Sequence, residues 1–194
     1  MSSITRPGAD EHAPYYSRYI SRVADGDVLD LLERQGREAA ALLRALPEER
    51  GVFRYAPDKW SVKEVVGHVA DSERIFAYRA LRIGRADRTP MPGFEQDDYV
   101  RAAGFDARPL RELTDELAAV RGATIALFRG LEGEALARRG TANGQEVTPR
   151  ALLYIIVGHE RHHLDILRER YLVDGGPPRD AAVTGAGREG GRDG

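Results

Sequence analysis

Residues 148–172 constrain what this 194-residue chain can fold into more than any other stretch. The segment opens on Thr148-Pro149, a capping residue followed by a proline at the first helical position, where a missing N–H costs nothing. An apolar run over 151–157 continues through Leu164, Ile166, Leu167, Tyr171 and Leu172. It stops before Gly175-Gly176-Pro177-Pro178, which cannot continue a helix. One helix from 148 to about 172 is therefore predicted. Within it, His159-Glu160-Arg161-His162-His163 sets His159 and His163 four residues apart, on one face and one turn from each other. Leu152, Ile155, Ile156 and Ile166 share that face, so both imidazoles are expected to point inward. Two imidazoles converging on an interior point suit a metal ion.

Composition narrows the chemistry. The absence of cysteine removes disulfides, thiolate ligands and a thiol nucleophile, so a metal must be held by His, Asp or Glu. A formal charge of -2 calls for no nucleic-acid-binding face. No apolar stretch approaches the ~20 residues of a membrane span, and residues 1–13 are too polar for a signal peptide. A soluble cytoplasmic protein with no membrane partner is expected. The length suits one domain with a sizeable core.

Three further amphipathic helices precede the last one. Asp27 caps the first, whose stripe runs through Val28, Leu31, Leu32, Ala39, Leu42, Leu43 and Leu46 and ends at Pro47. Ser61 and Glu64 form a capping box for the second, with Trp60 placed to staple onto Val65, and Gly84 closes it. The third runs from Pro109 to about Leu131, interrupted by Arg121-Gly122-Ala123-Thr124 at a close helix crossing. Residues 1–14 read as a flexible leader with His12 in solvent. Tyr15, Tyr16 and Tyr19 follow, laying their rings on the protein body by packing or by a hydroxyl reaching a pocket. The loop around Thr89-Pro90-Met91-Pro92-Gly93 either crosses the bundle or roofs a site. A short helix over 95–103 and a small hairpin at 140–144 are expected. Residues 174–194, rich in Gly, Arg and Asp, read as a disordered tail. Four long helices joined by loops predict an all-α four-helix bundle over 15–173, with a long crossover connection.

His68 falls on the apolar face of the second helix, as His159 and His163 do on the last. Each buried imidazole needs partners, supplied either by a polar core network or by one metal ion. His159-Glu160-Arg161-His162-His163 also matches the HExxH of zincins, in which Glu160 would be the general base. A zincin takes its third ligand downstream, where only Asp165, Glu169 and Asp174 precede the tail; His68 suits that role better. His162 is offset from the pair by about 100°. Asp71 lies one turn after His68.

The run Trp60-Ser61-Val62-Lys63-Glu64-Val65-Val66-Gly67-His68-Val69-Ala70-Asp71, then Glu73-Arg74-Ile75-Phe76, and finally Gly158-His159-Glu160-Arg161-His162-His163 resembles the DinB/YfiT-like superfamily, over about residues 16–172. The resemblance implies a four-helix bundle with one divalent metal held by His68, His159 and His163; imidazole ligands suit zinc or nickel first and iron next. Relatives in that superfamily include bacillithiol- and mycothiol-type S-transferases, a mycothiol-dependent maleylpyruvate isomerase and proposed hydrolases, and many are homodimers. The expected function is thus a metal-dependent thiol S-transferase or hydrolase acting on a small molecule, with a low-molecular-weight thiol as partner. The alternative is a non-catalytic metal-binding or stress-response module. Asp71 and Glu160 are the acid-base candidates, Glu160 being expected in an exposed position beside its ligand neighbour. Arg74 and Arg161 either hold an anionic substrate or form surface ion pairs.

Overall fold

Three of the four long helices start on side-chain caps, and the computed structural model, which describes residues 4–172, shows those caps in use. A short helix α1 (Ser17–Ile20) comes first. Asp27 then accepts hydrogen bonds from the backbone N–H groups of Leu29 and Asp30 and opens α2 (Val28–Arg44). Ser61 and Glu64 form a reciprocal capping box at the start of α3 (Val62–Gly84). After α4 (Gln96–Ala103) comes α5 (Leu110–Arg129). Its local cap is Pro109, so the free Leu110 N–H is taken instead by the distant Glu48 carboxylate at 3.0 and 3.1 Å. A single turn α6 (Glu134–Ala137) leads to the hairpin β1 (Gly140–Ala142) and β2 (Gln145–Val147). Its two-residue turn, Asn143-Gly144, has both φ angles positive, at 49° and 71°, a geometry that Asn and Gly accept best. Thr148 accepts from the Ala151 N–H to cap α7 (Pro149–Ile166), which ends in a widened π-turn over Leu167–Tyr171.

The four long helices pack in the ring order α2–α5–α3–α7, each touching its two neighbours. Consecutive α2 and α3 therefore occupy opposite corners, as do α5 and α7. The links that cross the bundle are 45–61 and 130–148; the long 85–109 segment joins neighbours. Its loop is stitched to the hairpin, where the Met91 N–H donates to Thr141 O and Met91 O accepts from the Asn143 N–H, both at 2.9 Å.

A polar layer divides the apolar core at mid-height. One residue comes from each helix: Gln35, Glu73, Arg121 and Glu160. Arg121 donates to both Glu73 oxygens at 2.9 and 2.8 Å, and its Nη2 also lies 2.9 Å from Glu160 Oε2. Gln35 Nε2 donates to the same Glu160 oxygen at 2.6 Å. On one side lie Leu32, Phe76, Phe128 and Leu153; on the other lie Leu43, Val65, Leu113 and Leu164. Gly36 makes room for this layer, since a Cβ there would sit 2.8 Å from Arg121 Nη1.

The reading of residues 1–14 as a flexible leader needs correcting over its described part. Glu11 is buried and receives hydrogen bonds from Arg150 and from the Thr148 hydroxyl, while Arg6 donates to the carbonyls of Ile20 and Val23. His12, expected in solvent, is 7% exposed, with Nδ1 2.9 Å from Ala13 O. The physical reason is Glu11, which ties the segment to the first turn of α7 through an ion pair that local composition does not reveal. The predicted tail lies outside the described residues.

Candidate metal centre

Helix α3 carries His68 on the face that meets α7, and α7 carries His159 and His163 on the face that meets α3. The three Nε2 atoms converge. His159 Nε2 is 3.1 Å from His68 Nε2 and 3.1 Å from His163 Nε2. One donor atom from each ring lies within 4.8 Å of the others. His68 and His159 are buried, whereas His163 is partly exposed, so the cluster meets solvent on the His163 side.

Burial holds all three rings neutral. It pushes His68 down to about 3, with the charge of His162 adding to the effect. It also lowers His159 and His163 well below the usual imidazole value, their histidine neighbours reinforcing it. Neutral imidazoles offer lone pairs, the form that binds metal. Hydrogen bonds among the rings cannot satisfy the cluster, because His159 Nε2 faces two nitrogens with one hydrogen or one lone pair. A tetrahedral ion at the usual zinc–nitrogen distance sets its ligand nitrogens about 3.3 Å apart, close to the spacing seen. The donor set thus fits a divalent ion of the zinc, nickel or iron type.

Aromatic rings wall the cluster. Trp60 lies 4.7 Å from His68, ring centre to ring centre, instead of serving only as the expected staple. Tyr19 meets His159 edge-on at 5.3 Å and His162 at 5.6 Å, and Phe76 meets His159 at 6.1 Å. Within the tyrosine arm, Tyr19 thus packs on the histidines and Tyr16 on Phe76. Gly158 permits this approach: a Cβ there would fall 2.0 Å from the Tyr19 carbonyl oxygen.

The remaining sequence candidates separate. Asp71 is half-buried and accepts from Arg74 Nη1 at 3.1 Å; burial raises its pKa, against the pull of Arg74. Glu160 is not exposed as expected but 2% exposed, its carboxylate turned to Gln35 and Arg121 in the polar layer. Burial raises its pKa despite Arg121, and Oε1 has no hydrogen-bond partner among the described residues. His162 lies beside the cluster, half-buried. Asp165, the downstream ligand a zincin would need, is occupied by Arg22, Arg161 and Arg168. Arg74 and Arg161 are both ion-paired. Sequence reasoning missed Arg121 and Arg79, two buried arginines. Arg121 carried a signal, a charge at the i+4 position of the stripe residue Leu117.

Fold and site together define a four-helix bundle with an all-imidazole donor set between its second and last long helices. The sequence profile of the DinB superfamily matches residues 31–167, and the chain belongs to that superfamily. Among solved structures it is similar to YfiT from Bacillus subtilis, described as a probable metal-dependent hydrolase with an unusual four-helix bundle topology. The TM-score is 0.60 at 17% identity, covering 84% of this chain and 92% of that one. It is also similar to a mycothiol-dependent maleylpyruvate isomerase, with TM-score 0.59 and 15% identity, over 85% of this chain and 63% of that one. A DinB-like protein, YjoA, from Bacillus subtilis follows at TM-score 0.54 and 22% identity, over 74% and 87% of the respective chains. No curated protein matches the sequence significantly.

Proposed function

We propose that the chain is a metal-dependent enzyme, a thiol S-transferase or hydrolase, that acts on a small molecule at one divalent ion held by His68, His159 and His163. The convergence of three neutral Nε2 atoms carries this reading. Three imidazoles leave a fourth position for a reactant, as in catalytic and not structural zinc sites. When bound, such an ion supplies Lewis acidity and acidifies a coordinated thiol or water.

The chain's own groups do the rest. Trp60, Tyr19 and Phe76 exclude water from the inner side of the cluster and fix the ring orientations. Asp71, one turn from His68 and with a raised pKa, is the group we assign to proton transfer. Glu160 we assign to structure, since Arg121 and Gln35 hold its carboxylate away from the histidines. The neighbouring folds described as a probable metal-dependent hydrolase and a mycothiol-dependent isomerase support hydrolysis and the use of a thiol partner.

Elemental analysis of protein purified without a metal-affinity column tests the reading. About one divalent ion per chain is expected in the wild type, and its loss in His68→Ala. A zincin-type site would keep its metal in that variant. Absence of metal even after adding zinc or nickel would leave a polar core network and overturn the proposal.

A further inference from the structure

Among the described residues two arginines are buried, Arg79 and Arg121, and they differ in one respect. Arg121 meets two carboxylates. Arg79, 3% exposed, meets none among the described residues. Its Nη2 donates to Pro92 O at 2.8 Å, and the titratable groups that act on it are the phenols of Tyr16 and Tyr99. Burial works against its charge. An arginine cannot shed its proton to escape, so an uncompensated guanidinium is a standing cost to the fold. The carbonyl of Pro92 and a phenol supply dipoles where a counter-charge is wanted.

A single aromatic ring links Arg79 to the metal centre. Arg79 lies three residues after Phe76 on α3. Its guanidinium carbon is 6.0 Å from the Phe76 ring, and that same ring is 6.1 Å from His159. Tyr16 meets Phe76 edge-on at 6.1 Å. One aromatic ring thus touches both a buried, acid-free arginine and a candidate metal ligand. The arginines that the sequence offered for this purpose, Arg74 and Arg161, are already neutralised by Glu116, Asp71 and Asp165.

We propose that Arg79 receives an oxyanion of the substrate, a carboxylate foremost, while the substrate's reactive end meets the three-histidine centre. The inference rests on the enzyme reading above and names its substrate class: a small organic acid long enough to pass the Phe76 ring. The planar guanidinium fork suits two-point contact with a carboxylate. Pro92 and the Tyr16 phenol together hold the guanidinium and so pre-position it.

The test uses cobalt-loaded protein titrated with 3-mercaptopropionate, 6-mercaptohexanoate and 11-mercaptoundecanoate, beside the mercapto-alcohols of equal length. The thiolate–cobalt absorption band reports binding. At the length that spans the two ends, the acid is expected to bind about tenfold tighter than its alcohol. That advantage should vanish in Arg79→Gln and survive in part in Arg79→Lys. Equal binding of acid and alcohol at every length overturns the proposal, as does an Arg79→Gln variant that weakens both alike, the mark of a mere fastener for Pro92. Failure of cobalt, zinc and nickel alike to bind sinks the enzyme reading by itself. Metal-free protein then decides on Arg79: hexanoate should raise the melting temperature of the wild type, hexanamide should not, and Arg79→Lys should respond where Arg79→Gln does not. No protection by hexanoate overturns the assignment.

Discussion

Arg121 Nη2 lies 2.9 Å from Glu160 Oε2, although Glu160 follows a candidate metal ligand directly in sequence. One step along α7 rotates the side chain by about 100°, from the His159 face toward the axis of the bundle. The HExxH pattern is thus split between two surroundings, the histidine cluster and the polar layer. Arg121→Met is expected to destabilise the fold by about 3–5 kcal/mol, because it strands Glu73 and Glu160 without their cation. Glu160→Gln should cost far less and should leave metal content unchanged. Urea denaturation of the two variants, with elemental analysis of Glu160→Gln, checks both statements.

Close approach of backbone to backbone supplies a second prediction. A Cβ at position 158 would lie 2.0 Å from the Tyr19 oxygen and 2.4 Å from its carbonyl carbon. Neither atom belongs to a flexible side-chain end, so Gly158→Ala must push α1 off α7. The expected cost is about 3 kcal/mol, the top of the usual range for overpacking. The Tyr19 ring should leave His159 at the same time. Thermal melts and near-ultraviolet circular dichroism of the variant report the two effects.

Much of this was legible beforehand because caps and stripes are local. Asp27, Ser61 with Glu64, and Thr148 announce their helices within three residues, and the structure uses all of them. The histidine spacing on α7 is equally local. What escaped is what depends on partners far along the chain. Glu48 caps α5 from 62 residues away, Glu11 pairs with Arg150 from 139, and Arg121 looked like an interruption until Glu73 and Glu160 surrounded it. Arg79 gave no pattern at all, since its distinguishing feature is a missing counter-charge.

Acid should loosen the N-terminal segment first. Burial opposes the charge of Glu11, but the hydrogen bonds from Arg150, the Gly8 N–H and Thr148 outweigh it and bring the carboxyl from 4.5 down to about 2. A folded-state pKa below the unfolded one gives stability that is present in full above pH 4.5 and lost as pH falls through about 2. Glu11→Gln is expected to lose about 1.5–3 kcal/mol at neutral pH. The gap between wild type and variant should close between those two pH values. Denaturant titrations at stepped pH measure it; a gap independent of pH would refute the ion pair as its source.

The single tryptophan offers a direct report on the centre. Trp60 lies 4.7 Å from the His68 ring, centroid to centroid, immediately before the Ser61 cap that fixes the start of α3. Its geometry relative to His68 is therefore set by backbone, not by a long side chain. Nickel and cobalt quench indole emission at such short range, whereas zinc, with a filled d shell, does not do so by the same route. Adding nickel to metal-free protein is expected to quench Trp60 to an endpoint at one equivalent, and zinc added first should block the effect. His68→Ala should abolish the saturable phase, while His162→Ala, outside the converging set, should keep it. Saturable quenching that persists in His68→Ala would place the ion elsewhere, since Trp60 is tied to this site through the His68 ring.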